Sequence, residues 1–179
     1  MKNFIVTSVV GKDRPGFVNL ITSRIREIGG NVELQRSTRM AEEFAAIILF
    51  SVEGGDSNVA AAVEAVQGIR AEDTLIHARS AVTQGGSGGV SGTSAELTAV
   101  GADQQGIIDE VTLLLFRRQI NIESMNYDVD SAPMTGQSLF RMEARLSIPD
   151  SVDIDGLKEE LRQLEQSLNF DILFRHPSG

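Results

Sequence analysis

The stretch GKDRPG at residues 11–16 has a counterpart, GADQQG, at residues 101–106, 90 positions further along the chain. Both have the spacing G-x-D-x-x-G, and the register continues without a gap to Asn31-Val32-Glu33 and Asn121-Ile122-Glu123. Generic hydrophobic patterning does not reproduce Gly, Asp, Asn and Glu at matched positions. A repeat of this length indicates two copies of one small domain, because solenoid units are only about 20–50 residues long.

A Gly/Ser-rich stretch separates the two copies. Residues 84–93 read QGGSGGVSGT, a composition typical of a flexible linker. We therefore predict a first domain over residues 1–83, a linker over residues 84–93 and a second domain over residues 94–179. A chain of 179 residues has room for two such domains, each with its own core.

The sequence pattern of each copy predicts the element order β-α-β-β-α-β. In the first copy, a strand over residues 4–10 precedes the turn, and Gly29 and Gly30 end the helix that follows it. Asp13 is expected to cap this helix, with Pro15 in its first turn. The predicted fold class is α+β, each copy being a ferredoxin-like four-stranded antiparallel sheet with two helices on one face.

The second copy differs from the first in one connection. Matching Phe140 to Phe44 requires six extra residues. We therefore predict a longer hairpin loop over residues 130–136, between the second and third strands of this copy.

Composition excludes several classes of function. The formal net charge of −9 argues against direct nucleic-acid binding, which depends on Lys and Arg neutralising phosphates. The chain has no cysteine, and its two histidines, His77 and His176, have no clustered ligands, so we predict no metal site, no cofactor and no catalytic residues. With no signal-peptide pattern and no membrane-length apolar run, the expected location is the cytoplasm.

The turn GKDRPGF at residues 11–17, followed by Gly30-Asn31-Val32, resembles the signature of the ACT domain. That signature is a D-R-P-G turn before the first helix and a G-x-N at the start of the second strand. Two ACT copies in one chain are most similar to the glycine cleavage system transcriptional repressor family, as is the hairpin Glu42-Glu43-Phe44. The second copy departs from the signature, with Gln104 and Gln105 in place of Arg14 and Pro15.

The turn has a physical reason to bind an amino acid. A helix N-terminus offers unpaired N–H groups to a carboxylate, and glycine lets a ligand approach the backbone closely. Asp13 suits an ammonium group, and Asn31 offers both a donor and an acceptor. The resemblance implies that the ligand lies where this turn meets a neighbouring ACT copy. The candidate amino-acid-binding residues are Gly11, Asp13, Arg14, Pro15, Gly16, Phe17 and Asn31, with weaker second-copy equivalents Gly101, Asp103, Gly106, Ile107 and Asn121.

The resemblance implies a regulatory protein rather than an enzyme. Its expected ligand is glycine or another small amino acid, and its expected partner is a DNA-binding transcription regulator through which it controls transcription indirectly. Two alternatives stay open: a ligand-free protein-interaction module whose turns are only structural, and a regulatory subunit of an amino-acid metabolic enzyme. The sequence also leaves open whether the two copies pair within one chain or two chains form a homodimer.

Overall fold

The computed structural model describes residues 1–81, 92–131 and 138–177, with only the backbone described at Ser131. Contacts along the chain separate two compact units, Met1–Ser87 and Gly88–Gly179. Of the predicted linker, only Gly92 and Thr93 lie among the described residues, and Thr93 already begins a strand. The linker bounds therefore stay a prediction.

The first unit has the predicted order of elements. Its sheet has the strand order β2-β3-β1-β4, and every neighbouring pair is antiparallel. The elements are β1 (Lys2–Lys12), α1 (Phe17–Glu27), β2 (Asn31–Met40), β3 (Glu43–Glu53), α2 (Asp56–Gln67) and β4 (Thr74–Ala81).

The second unit repeats this topology, with the strand order β6-β7-β5-β8. The predicted start of its longer hairpin loop is wrong, because pairing with β7 keeps Asp130 and Ser131 in β6. Residues 132–136 of that predicted loop lie outside the described residues. The elements are β5 (Thr93–Ala102), α3 (Ile107–Arg117), β6 (Asn121–Ser131), β7 (Ser138–Ile148), α4 (Ile154–Leu168) and β8 (Phe170–Arg175).

In each unit the core lies between one face of the sheet and the two helices. Ile5 and Phe50 are opposite each other on β1 and β3, and both are fully buried beneath the helices. Leu97 and Leu146 are fully buried in the second unit, again on the central strands. The predicted α+β, ferredoxin-like fold class is confirmed. None of the helices in the described ranges is long and apolar enough to cross a membrane.

The two glycines of each repeated turn are needed for different reasons. A Cβ on Gly11 would lie 2.5 Å from the carbonyl oxygen of Asp73, and one on Gly101 would lie 2.5 Å from Cβ of Phe170. These positions therefore require glycine because the last strand of the sheet approaches so closely. Gly16 and Gly106 have φ angles of 86° and 95°, a left-handed conformation that favours glycine, and a Cβ there would meet no atom within 4 Å.

We predict that Gly11→Ala destabilises the chain by about 1–3 kcal/mol, because the new methyl group overlaps a backbone carbonyl that cannot move alone. Gly55→Ala is the matched control, since a Cβ at Gly55 meets nothing within 4 Å. We expect this control to change the unfolding free energy by less than about 1 kcal/mol. Urea unfolding followed by circular dichroism measures both, and equal effects would contradict the close-packing explanation.

Candidate functional site: the turn between the first strand and the first helix

Gly16 occupies the N-cap position of α1, and no side chain caps this helix among the described residues. The prediction that Asp13 caps the helix is therefore wrong. Pro15, expected in the first helical turn, lies before the cap, because the left-handed Gly16 delays the start of the helix to Phe17. Gly106 caps α3 in the same way, also without a side-chain hydrogen bond.

The uncapped start leaves backbone N–H groups at the helix end. The first intrahelical bond runs from the Leu20 N–H to the Gly16 oxygen at 2.9 Å. The N–H groups of Val18 and Asn19 therefore precede the regular helical ladder. Together with the positive end of the helix dipole, they favour an anion at this position.

Asp13 is held by the hairpin between β2 and β3. Its N–H donates to the Glu42 oxygen at 2.8 Å, and its carboxylate pairs with Nε of Arg39 at 3.1 Å. The Asp13 side chain is 35% exposed and that of Arg39 is 65% exposed. An anionic and a cationic group thus lie side by side, both accessible to solvent, next to the start of α1.

Arg14 and Phe17 have distinct positions at this turn. The guanidinium of Arg14 lies 5.7 Å from the centroid of the Phe17 ring. Phe17 is only 3% exposed and packs edge-on against Phe44, with their ring centroids 5.4 Å apart. Phe17 is therefore a core residue that supports the turn, whereas Arg14 adds a second cation near its surface.

The second turn is anchored in the same way but carries different charges. The N–H of Asp103 donates to the Ser138 oxygen at 2.9 Å, and its carboxylate accepts a hydrogen bond from the Tyr127 hydroxyl at 2.9 Å. Burial, and then the bond to Asp103, raises the pKa of Tyr127, which keeps it a neutral donor. Asp103 thus has a tyrosine as its side-chain partner and forms no ion pair in the part of the chain that the structure describes.

An open cavity of about 590 Å³ lies at the second turn. Its walls include residues 103–109 and Tyr127, with the carboxylates of Asp103 and Asp109 and no basic side chain. Gln104, at the position of Arg14, instead donates a hydrogen bond to the Leu168 oxygen at the end of α4. Among the described residues, the second turn therefore offers carboxylates and helix N–H groups, but no cationic side chain.

Asn31 does not lie near the turn of its own unit. Asn31 is opposite Ser51, which is opposite Phe4 near the start of β1, whereas the turn follows the other end of that strand. The seven residue-to-residue steps from Phe4 to Gly11 span about 23 Å of extended strand. Asn121 has the same placement in the second unit, opposite Ser147. Within their own units, therefore, neither asparagine lies beside the turn, and their predicted role where a turn meets a neighbouring copy stays a prediction.

Asn31 instead belongs to a polar cluster around Glu33. One oxygen of the Glu33 carboxylate accepts hydrogen bonds from Asn31 at 3.0 Å and from Ser51 at 2.7 Å, and pairs with Nζ of Lys2 at 2.9 Å. Lys2 is the main cause of a pKa of about 2 for Glu33, followed by Ser51 and Asn31. In the second copy Gly92 replaces the lysine, so Glu123 has no equivalent cation at that position.

Sequence reasoning missed Arg39 and Tyr127, the two side chains that bond the turn aspartates. Both lie on the strand before the hairpin of their unit, β2 and β6 respectively. No sequence pattern marks Arg39 as the partner of Asp13, because its position depends on the register between β2 and β3. The corresponding position in the second copy, opposite Phe140, holds the apolar Val129.

Comparison with known proteins assigns the first unit. The family model of the ACT domain matches residues 3–69. The glycine cleavage system transcriptional repressor of Escherichia coli (strain K12) is 40% identical over 50 residues, which are 28% of this chain and 26% of that protein. The matched segment thus spans about a quarter of the curated relative.

Solved structures extend the likeness to the whole chain. An unknown protein from Galdieria sulphuraria is 27% identical and superposes with a TM-score of 0.82, covering 99% of this chain and all of that one. A candidate glycine cleavage system transcriptional repressor is 19% identical, with a TM-score of 0.66 over 100% of this chain and 99% of its own. Residues 3–69 of the first unit therefore match the ACT domain, and the chain as a whole shares the fold of these two solved structures.

We predict that Glu33→Gln lowers the melting temperature at pH 7, because it removes the anion that Lys2 pairs with. The folded pKa is depressed from 4.5 to about 2, so this stabilisation is present above pH 4.5 and is lost as the pH falls towards 2. The deficit of the variant should therefore shrink between about pH 4.5 and pH 3. Thermal unfolding at several pH values measures it.

Glu123→Gln is the matched control, because the second copy has no lysine at the position of Lys2. This control should have a smaller effect at pH 7. A Glu33→Gln deficit that stays constant down to pH 3 would contradict the ion-pair explanation.

Proposed function

We propose that this chain senses an amino acid, glycine or another small one, at the turn between β1 and α1, and controls transcription indirectly through a protein partner. The likeness of its first unit to the glycine cleavage system transcriptional repressor supports both the ligand class and the regulatory role. The net charge of −9 favours a protein partner, such as a DNA-binding regulator, over direct contact with DNA.

The observation that carries this proposal is the pair of opposite charges beside the uncapped start of α1. A free amino acid is a zwitterion, so its site must satisfy an ammonium group and a carboxylate that are close together. The Asp13 carboxylate suits the ammonium group, while Arg39 and the first N–H groups of α1 suit the carboxylate. Binding exchanges the internal Asp13–Arg39 pair for two pairs with the ligand.

The second turn is a weaker candidate for the same ligand. Asp103 and Asp109 suit an ammonium group, but only backbone N–H groups are present there for the carboxylate. The carboxylate of the ligand would also lie close to these two acidic side chains, which repel it. We therefore assign the sensing role to the first copy.

Asn31 has no part in a site built on the turn of its own unit. It lies about 23 Å along the sheet from that turn, a distance several times the length of a small amino acid. Its contacts with Glu33 give it a structural role at the opposite end of the sheet.

A ligand-free interaction module is the second candidate function. The observation that favours it is that Asp13 already bonds its own chain through both its N–H and its carboxylate. In that case the charge pair only fixes the hairpin to the turn, and no amino acid has a reason to displace it.

Calorimetric titration with glycine, serine and alanine separates these two functions. We expect saturable binding to the intact chain, and affinity about 10–100-fold lower in Asp13→Asn and in Arg39→Gln, because each variant removes one charge-assisted contact. Asp103→Asn, in the second turn, is the matched control and should retain the affinity of the unmodified chain. Flat titrations across the panel would favour the ligand-free module, and full retention in Arg39→Gln would remove the zwitterion site proposed here.

A further inference from the structure

The first sheet has a face that the helices do not cover, which we call the first open face. Strand register places its side chains in four rows that each cross all four strands in the order β2, β3, β1, β4. The rows are Asn31–Ser51–Phe4–Ala81, Leu34–Leu49–Val6–Arg79, Arg36–Ile47–Ser8–His77 and Thr38–Ala45–Val10–Leu75.

The first open face carries large apolar side chains that are exposed. Among its members, Leu75 is 78% exposed, Ile47 is 59% exposed and Leu34 is 49% exposed. Val10 is 45% exposed on a central strand, beside these side chains. Large apolar side chains that lie together on a sheet surface indicate an interaction site, unlike single scattered ones.

The second sheet shows that the fold does not require these apolar residues. The two sheets can be matched through the pairing of their central strands. Glu143 then occupies the position of Ile47, and Arg145 occupies the position of Leu49. Likewise, the position of Leu75 holds Asp171. Because the same topology forms with charged side chains at these positions, the apolar character of the first open face serves something other than folding of its own unit.

The border of the first open face is charged. Arg36 and Arg79 lie on the two edge strands, and neither forms an ion pair within the described residues. Pairs of both signs lie at its two ends, Lys2 with Glu33 and Lys12 with Glu42. An apolar centre within a polar border is the arrangement of a protein–protein interface.

We propose that two copies of this chain associate by stacking their first open faces against each other. Four strands and four rows cover about 19 Å by 27 Å, or roughly 500 Å² on each copy. The pair therefore buries roughly 1,000 Å², the lower bound for a specific interface. A two-fold stack places the same patch on both sides, and packed sheets about 10 Å apart interdigitate their apolar side chains.

A second copy fits this face for two further reasons. The two central strands carry no charged side chain in the four rows of this face, so a stack centred on them keeps the arginines at its border. The border carries both signs, so its arginines face a partner border that also contains carboxylates. This pairing is independent of ligand binding, because the open face and the turn occupy different surfaces of the unit.

The test is the mass of the full chain in solution, measured by light scattering after size exclusion and by sedimentation velocity. We expect the unmodified chain to have twice the mass of one copy at about 50 μM, and Ile47→Glu and Leu49→Arg to have the mass of a single copy. These variants introduce the residues that the second sheet carries at matched positions, so the strand accommodates them. Circular dichroism and thermal unfolding verify that they fold.

Glu143→Gln on the second sheet is the matched control and should keep the mass of the unmodified chain. A single-copy mass for the unmodified chain overturns the proposal. A dimer that persists in both folded variants overturns it as well, because the contact would then lie on another surface. Loss of the dimer in the variants without loss of amino-acid binding separates this inference from the sensing function.

Discussion

Both units depend on how closely the end of the first strand approaches its neighbours. Gly11 and Gly101 leave no room for a side chain against the start of the last strand. One residue beyond the end of each strand, at Asp13 and Asp103, the backbone N–H bonds the hairpin at 2.8 Å and 2.9 Å. The turn is thus fixed from two sides before the helix begins. Among the described residues, no side chain caps the N–H groups of the helix that follows.

The path of the chain then separates residues that the sequence motif places close together. A helix that leaves the end of β1 runs back along the sheet, so β2 must begin where β1 began. Asn31 therefore lies at the opposite end from the turn, although only 15 positions separate it from Gly16. At that end Asn31 orients Glu33, whose low pKa follows chiefly from Lys2. The glycine turn and the Gly30-Asn31 segment thus belong to two separate local structures, at opposite ends of the same sheet.

The order of the elements was predictable, because alternating strands and glycines at chain reversals depend on local chemistry. The side-chain partner of Asp13 was not predictable from the sequence, because it depends on strand register. A bulge between Val32 and Leu34 shifts the alternation of β2 by one residue. In a regular strand, side chains alternate between the two faces, so Arg39 would lie on the same open face as Asn31. Because of the bulge, Arg39 lies instead on the face that the helices cover, beside Asp13. The same dependence on pairing explains why the start of the longer loop was predicted too early.

Comparison of the two copies distinguishes features that both units share, which the fold requires, from surface features that differ between them. Gly16 and Gly106 have the same left-handed conformation, yet Asp13 meets an arginine and Asp103 meets a tyrosine. The helix-facing core is apolar in both units, whereas the open faces differ in charge. Since the glycine turn persists where the opposite charges do not, the turn is required by the backbone in both copies. The G-x-D-x-x-G spacing therefore does not by itself distinguish the two turns; among the described residues, only the first has a pair of opposite charges beside it.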